Sequence, residues 1–207
     1  MEKNILKIRS LFSWGGLLVA LTPNLALGYT MDYSYSVGHP DNMGHPNNAA
    51  YPRTTPLHRA VIAQNLNAVH DALIVDTHAA NRKITNGMTA LHLAVLVNNF
   101  PIIEELIRGG ADPCICDNVG DTPLHIAART RNSPIVRYLL QQSADPNAPD
   151  DEWRTPLHWA AWNNNLDMVQ ILTDYGADPT LTTRTGWCAR DFSRRRDVRN
   201  FLTELMQ

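Results

Sequence analysis

Apolar residues return along this chain in pairs of short blocks, each pair followed by a polar segment rich in Gly, Asp and Pro. In one pair Leu91, Leu93, Val95 and Leu96 form the first block and Ile102, Ile103, Leu106 and Ile107 the second, which predicts two helices, each with one apolar face. The same reading predicts a helix over residues 56–63 and another around Ala68, Val69, Ala72 and Leu73. Ile135, Val136, Leu139 and Leu140 mark a later one, and Val198, Phe201, Leu202 and Leu205 recur at helical spacing near the end. A constant polar signal heads each first block: Thr55-Pro56-Leu57-His58, Thr89-Ala90-Leu91-His92, Thr122-Pro123-Leu124-His125 and Thr155-Pro156-Leu157-His158. A hydroxyl followed by proline starts a helix, because the hydroxyl caps a free N–H and proline fits the first position, where no N–H is needed. A worn copy follows at Trp187-Cys188-Ala189-Arg190-Asp191-Phe192-Ser193. Measured on Leu57, Leu91, Leu124, Leu157 and Arg190, the spacings are 34, 33, 33 and 33. A fixed period of this length means stacked units, none of which can bury its apolar face alone.

Loops Gly110-Ala111-Asp112-Pro113, Ser143-Ala144-Asp145-Pro146 and Gly176-Ala177-Asp178-Pro179 recur at the same period. Heads, loops and period together resemble the ankyrin repeat over residues 51–207. The resemblance implies an all-α solenoid of stacked helix-turn-helix units with loop or β-hairpin fingers. Its repeats would run over about 51–86, 87–119, 120–152 and 153–185, with a C-terminal cap at 186–207. It further implies that the head His and Thr hydrogen-bond within and between repeats. In repeat one, the extra residue falls at Asp76-Thr77-His78-Ala79, where the Gly-Ala-Asp loop would stand.

Upstream, residues 1–28 read as a signal peptide: Lys3, Lys7 and Arg9 precede an apolar stretch over residues 11–27, and Ala26-Leu27-Gly28 offers small residues for cleavage. Gly15, Gly16, Pro23 and Asn24 interrupt that stretch, against a membrane anchor. The expected location is therefore outside the cytoplasm, in a periplasm or secreted, with no stable membrane insertion after cleavage. Residues 29–50 have almost no aliphatic side chains and read as a flexible leader. The mature chain would carry 15 basic and 19 acidic groups, a balance that does not favour nucleic acid as a partner.

Chemistry is sparse. No Gly-x-Ser-x-Gly, His-Glu-x-x-His, phosphate loop or Cys-x-x-Cys occurs, so no catalytic residue or cofactor is expected. His58, His92, His125 and His158 sit one repeat apart, too far to share a metal ion. Cys114, Cys116 and Cys188 are an odd set and not a disulfide framework; Cys114 is expected partly buried, Cys116 exposed, and Cys188 in the place of a helix-capping Thr. A metal or redox protein using Met31, His39, Met43, His45 and Cys116 is a rival reading. Arg184, Arg190, Arg194, Arg195, Arg196 and Arg199 could meet an acidic partner or a membrane surface, or serve as the solvated face of the cap.

Relatives in the resembling family bind proteins through the finger tips and the exposed side of each first helix, a concave strip. Transferred to this sequence, that strip holds Met88, Leu96, Val119, Asp121, Arg129, Asp151, Glu152, Arg154, Trp162, Trp187 and Arg195. Trp153 stands where other fingers have Gly87, Gly120 and Gly186, and a reshaped tip is expected there, because positive φ is costly for a bulky residue. Trp159 is expected in the core and Trp162 in the groove. The leading reading is a monomeric, exported, non-enzymatic protein that binds another protein through its concave face. A bacterial effector that binds a host protein is the alternative.

Overall fold

The computed structural model describes residues 54–207. The expected signal peptide and leader, with Met31, His39, Met43 and His45, lie outside the described residues. Four helix pairs follow one another: α1 (Pro56–Ile62) and α2 (Leu66–Val75), α3 (Ala90–Leu96) and α4 (Phe100–Arg108), α5 (Pro123–Arg129) and α6 (Ser133–Gln141), α7 (Pro156–Trp162) and α8 (Leu166–Asp174). A short α9 (Ala189–Phe192) and a longer α10 (Arg196–Leu205) close the chain, and a 3₁₀ turn, Ala79–Asn81, fills the extra length of repeat one. First helices stack on first helices and second on second, while each pair packs on itself. The helix pairs stack into an all-α solenoid, as the resemblance implied.

Residue type explains the starts. Thr55 accepts a hydrogen bond from the His58 N–H; at Thr89, Thr122 and Thr155 the head His reaches back to the N-cap amide as well. Second helices are capped by Asn65, Asn99, Asn132 and Asn165, whose side chains accept from N–H groups three residues on. The head leucines Leu57, Leu91, Leu124 and Leu157 are buried, alongside Ala60, Ala94, Ala127 and Ala160, whose small side chains allow close stacking. At the cap Val198 and Leu202 cover repeat four, but Leu205, expected to join them, is 47% exposed because it lies on the solvent side of the last turn.

Fingers between repeats are tight turns, the loop form of the two expected: the described residues hold one isolated antiparallel bridge, Thr182 with Cys188. Each turn is closed by two backbone bonds: one pairs Ile84 with Met88, Asp117 with Asp121, Asp150 with Arg154 and Thr183 with Trp187, and the other returns from Gly87, Gly120, Trp153 and Gly186 to the first residue of each turn. Neighbouring fingers are stitched by Asn118 to Asn86, Asp151 to Val119 and Arg184 to Glu152, all at 3.1 Å. This ladder sets the rigid edge on which the exposed side chains sit.

Candidate functional site

The head histidines belong to the scaffold. At His92 the Thr89 N–H donates to Nδ1 at 3.1 Å, which leaves Nε2 to carry the proton and donate to the Asp121 carbonyl at 3.0 Å. His125 bridges to the Arg154 carbonyl and His158 to the Trp187 carbonyl in the same way. His58 is the exception: no acceptor closes on its buried Nε2. Burial pushes His58 down to about 4, pushes His92 and His158 down to about 4 against the pull of these carbonyls, and lowers His125 as well. Neutral histidines thus stitch repeat two to three, three to four and four to the cap.

Two candidates prove to be interior. Met88 and Asp121, expected on the exposed strip, are only 7% and 4% exposed. They occupy the last finger position before the helix, whose carbonyl is held by the preceding repeat's histidine or by the finger turn, so their side chains tuck under the next helix. Asp121 also takes a 2.7 Å ion pair from Arg129. Arg154 is engaged likewise: its guanidinium pairs at 2.6 Å with Asp150, a fully buried carboxylate that sequence reasoning passed over. The Arg129 and Arg154 guanidiniums lie 5.3 and 4.8 Å from the Trp159 ring centre, so Trp159 is buried as expected, under two cations. These side chains form a pre-paired wall and not free contacts. At the finger base, burial pushes Asp117 up to about 6, with the Asp121 charge adding to it.

Other candidates are accessible. Leu96 is half-buried against the core. Val119 is 44% exposed, and Asp151 and Glu152 are exposed with no ion pair among the described residues. Trp153 is 57% exposed, and its backbone is not reshaped: φ is +61°, beside +81° at Gly120 and +79° at Gly186. The expected distortion is absent because the closing bond to Asp150, at 2.8 Å, and the stitch from Arg184 to Glu152 hold the turn in the glycine conformation. The indole meets the Arg184 guanidinium at 5.9 Å. Gly120 shows why the preceding finger kept glycine: a Cβ there would lie 2.6 Å from the Asp151 nitrogen.

At the cap end Trp162 and Trp187 are half-buried, their rings 6.2 and 5.9 Å from that of Phe192. Arg195 is exposed and pairs with Asp197. Cys188 caps α9 as expected, its thiol donating to Asp191 at 3.1 Å and pushed above its ordinary pKa by burial. Cys114, expected partly buried, is exposed like Cys116, because the loop turns its side chain outward over the Ser143 carbonyl. Among the described residues no group of three or more His, Cys, Asp and Glu could hold a metal, and no helix is long and apolar enough to cross a membrane.

A regular stack of helix pairs, histidine bridges between repeats and a ladder of fingers define a tandem-repeat scaffold. The chain belongs to the ankyrin-repeat family: the family model described as Ankyrin repeats (3 copies) matches residues 34–115 and 94–183. The first match begins inside the segment read as a leader, and the cap lies beyond the second. No curated protein matches the chain. Ankyrin repeats are in general modules of protein–protein interaction, and proteins built from them are typically non-enzymatic scaffolds.

Proposed function

We propose that this chain is an exported, non-enzymatic ankyrin-repeat protein that binds another protein through its fingers and the concave side of its first helices, from repeat three to the cap. One observation carries the reading. Trp153 keeps 57% of its surface exposed while its backbone sits at a φ of +61°, a conformation that costs a non-glycine residue about 1–2 kcal/mol. Folding gains little from such a residue, and exposed tryptophan is the side chain most enriched at binding hot spots. Export is supported by the basic start, the apolar stretch and Ala26-Leu27-Gly28.

Calorimetric titration of the full chain with a partner recovered by pull-down tests the binding face. Truncating a hot-spot residue costs about 2 kcal/mol or more, so Trp153→Ala should weaken binding about thirtyfold. Gln170→Ala, on the exposed side of α8, should leave it unchanged. Equal effects of the two substitutions would remove the reading. For export, the mature N-terminus should lie at or near Tyr29; an intact Met1 on cytoplasmic protein would refute it.

A further inference from the structure

We infer that the cap end of this face takes an acidic segment of the partner protein, with its carboxylates on the cap arginines and its apolar side chains on the neighbouring aromatic rings. The inference rests on the protein-binding reading above and names the partner's chemistry.

Charge is divided unevenly along the solenoid. Residues 54–183 hold eight basic and fourteen acidic side chains, a net −6, whereas residues 184–207 hold six arginines against three acids, a net +3. Arg190, Arg195 and Asp197 are partly matched, Arg190 with Asp191 at 3.7 Å and Arg195 with Asp197. Arg194, Arg196 and Arg199 are exposed and have no carboxylate within ion-pair distance among the described residues. Their placement is also unfavourable in the free protein. Arg195 is the N-cap of α10, and Arg196 and Arg199 lie in its first turns, where the helix dipole disfavours cations. Bound carboxylates would relieve both the mutual repulsion and the dipole conflict.

The cluster is held in place. The Asn164 side-chain oxygen accepts from the Ser193 hydroxyl at 3.0 Å and from the Arg194 and Arg195 N–H groups at 2.7 and 2.9 Å. The Asn164 amide donates to the Trp162 carbonyl at 3.2 Å, which ties the arginine run to the end of α7. Trp162, Phe192 and Trp187 form a half-buried aromatic patch on the same connected set of residues. Guanidinium groups grip carboxylates with two parallel hydrogen bonds, and the rings supply apolar area between them. A long polyanion such as a nucleic acid or an anionic membrane would extend past the cap and meet the acidic body, whose net −6 repels it. A short acidic segment with apolar residues fits the patch alone.

Fluorescence anisotropy with the full chain tests this. The probe is a fluorescein-labelled glutamate-rich peptide carrying two phenylalanines, compared with its glutamine counterpart. The glutamate peptide should bind at least about tenfold more tightly, an advantage that shrinks with added salt. The triple variant Arg194→Gln, Arg196→Gln, Arg199→Gln, with an unchanged circular dichroism spectrum, should lose at least about tenfold. Equal affinity for the two peptides, an unaffected triple variant, or tighter binding of phosphatidylserine vesicles or of a single-stranded oligonucleotide would overturn the inference. If Trp153→Ala releases the native partner and the triple variant does not, the protein-binding reading stands and the acidic chemistry falls.

Discussion

Acid should weaken this solenoid steeply as pH falls from 6.5 towards 4. His58, His92 and His158 are held neutral, at about 4 against the usual 6.5, and His125 is lowered too. A group depressed by folding stabilises fully above its unfolded pKa, and that contribution is lost as pH falls from 6.5 towards 4. Each gap between 6.5 and about 4 corresponds to about 3 kcal/mol. Chemically, the added proton falls on Nδ1, which already receives the Thr N–H, so protonation sets two donors against each other. Asp117 acts in the opposite sense: raised to about 6 from 3.8, it favours the folded state as pH falls and offsets one histidine. Near pH 5 the three histidines at about 4, less Asp117, make unfolding take up about two protons, a slope of about 3 kcal/mol per pH unit, and the lowered His125 adds to it. Against a typical total of about 5–15 kcal/mol, the domain should lose much of its stability by about pH 4. Urea denaturation at pH 7.5, 6 and 5, followed by circular dichroism, measures this directly. Stability unchanged between pH 7.5 and 5 would refute the neutral-histidine bridges.

Three further outcomes are expected. Leu124→Ala, which removes a fully buried side chain from a central repeat, should cost about 2–5 kcal/mol by denaturation; a loss below about 0.5 kcal/mol, that of an ordinary surface change, would contradict its burial. Trp153→Gly should stabilise the fold by about 1 kcal/mol by releasing the positive-φ strain, and a loss of stability would show that the indole packs more than it strains. Thiol titration of the native protein should find Cys114 and Cys116 fast and Cys188 reactive only on unfolding, given its burial and raised pKa; three equal rates would contradict the cap.

Much of the scaffold was legible because its determinants are local. Thr-Pro-Leu-His encodes a cap, a helix start, a core leucine and an inter-repeat bridge within a few residues, and the structure bears out the first three in every repeat and the bridge in all but the first, where His58 has no acceptor. Residues whose setting depends on side-chain packing were harder to place. Met88 and Asp121 read as finger residues, yet the following helix closes over them. Arg129 and Arg154 read as residues of the exposed strip, yet Asp121, Asp150 and Trp159 engage them. Asp117 and Asp150 recur at the period and hold the finger amides through their side chains, a signal available in the spacing. So were Asn65, Asn99, Asn132 and Asn165, the caps of the second helices. At Trp153 residue preference predicted a distorted turn, but the hydrogen bonds of the flanking fingers outweighed it.

The most direct test of the binding face is a photo-crosslinking scan in the native organism. Benzoylphenylalanine is placed singly at the exposed positions Val119, Trp153 and Arg195, and at Arg137 and Gln170 on the outer helices. The account predicts one protein adduct of common mass from the first three positions and none from the last two. Adducts confined to Arg137 and Gln170 would contradict it.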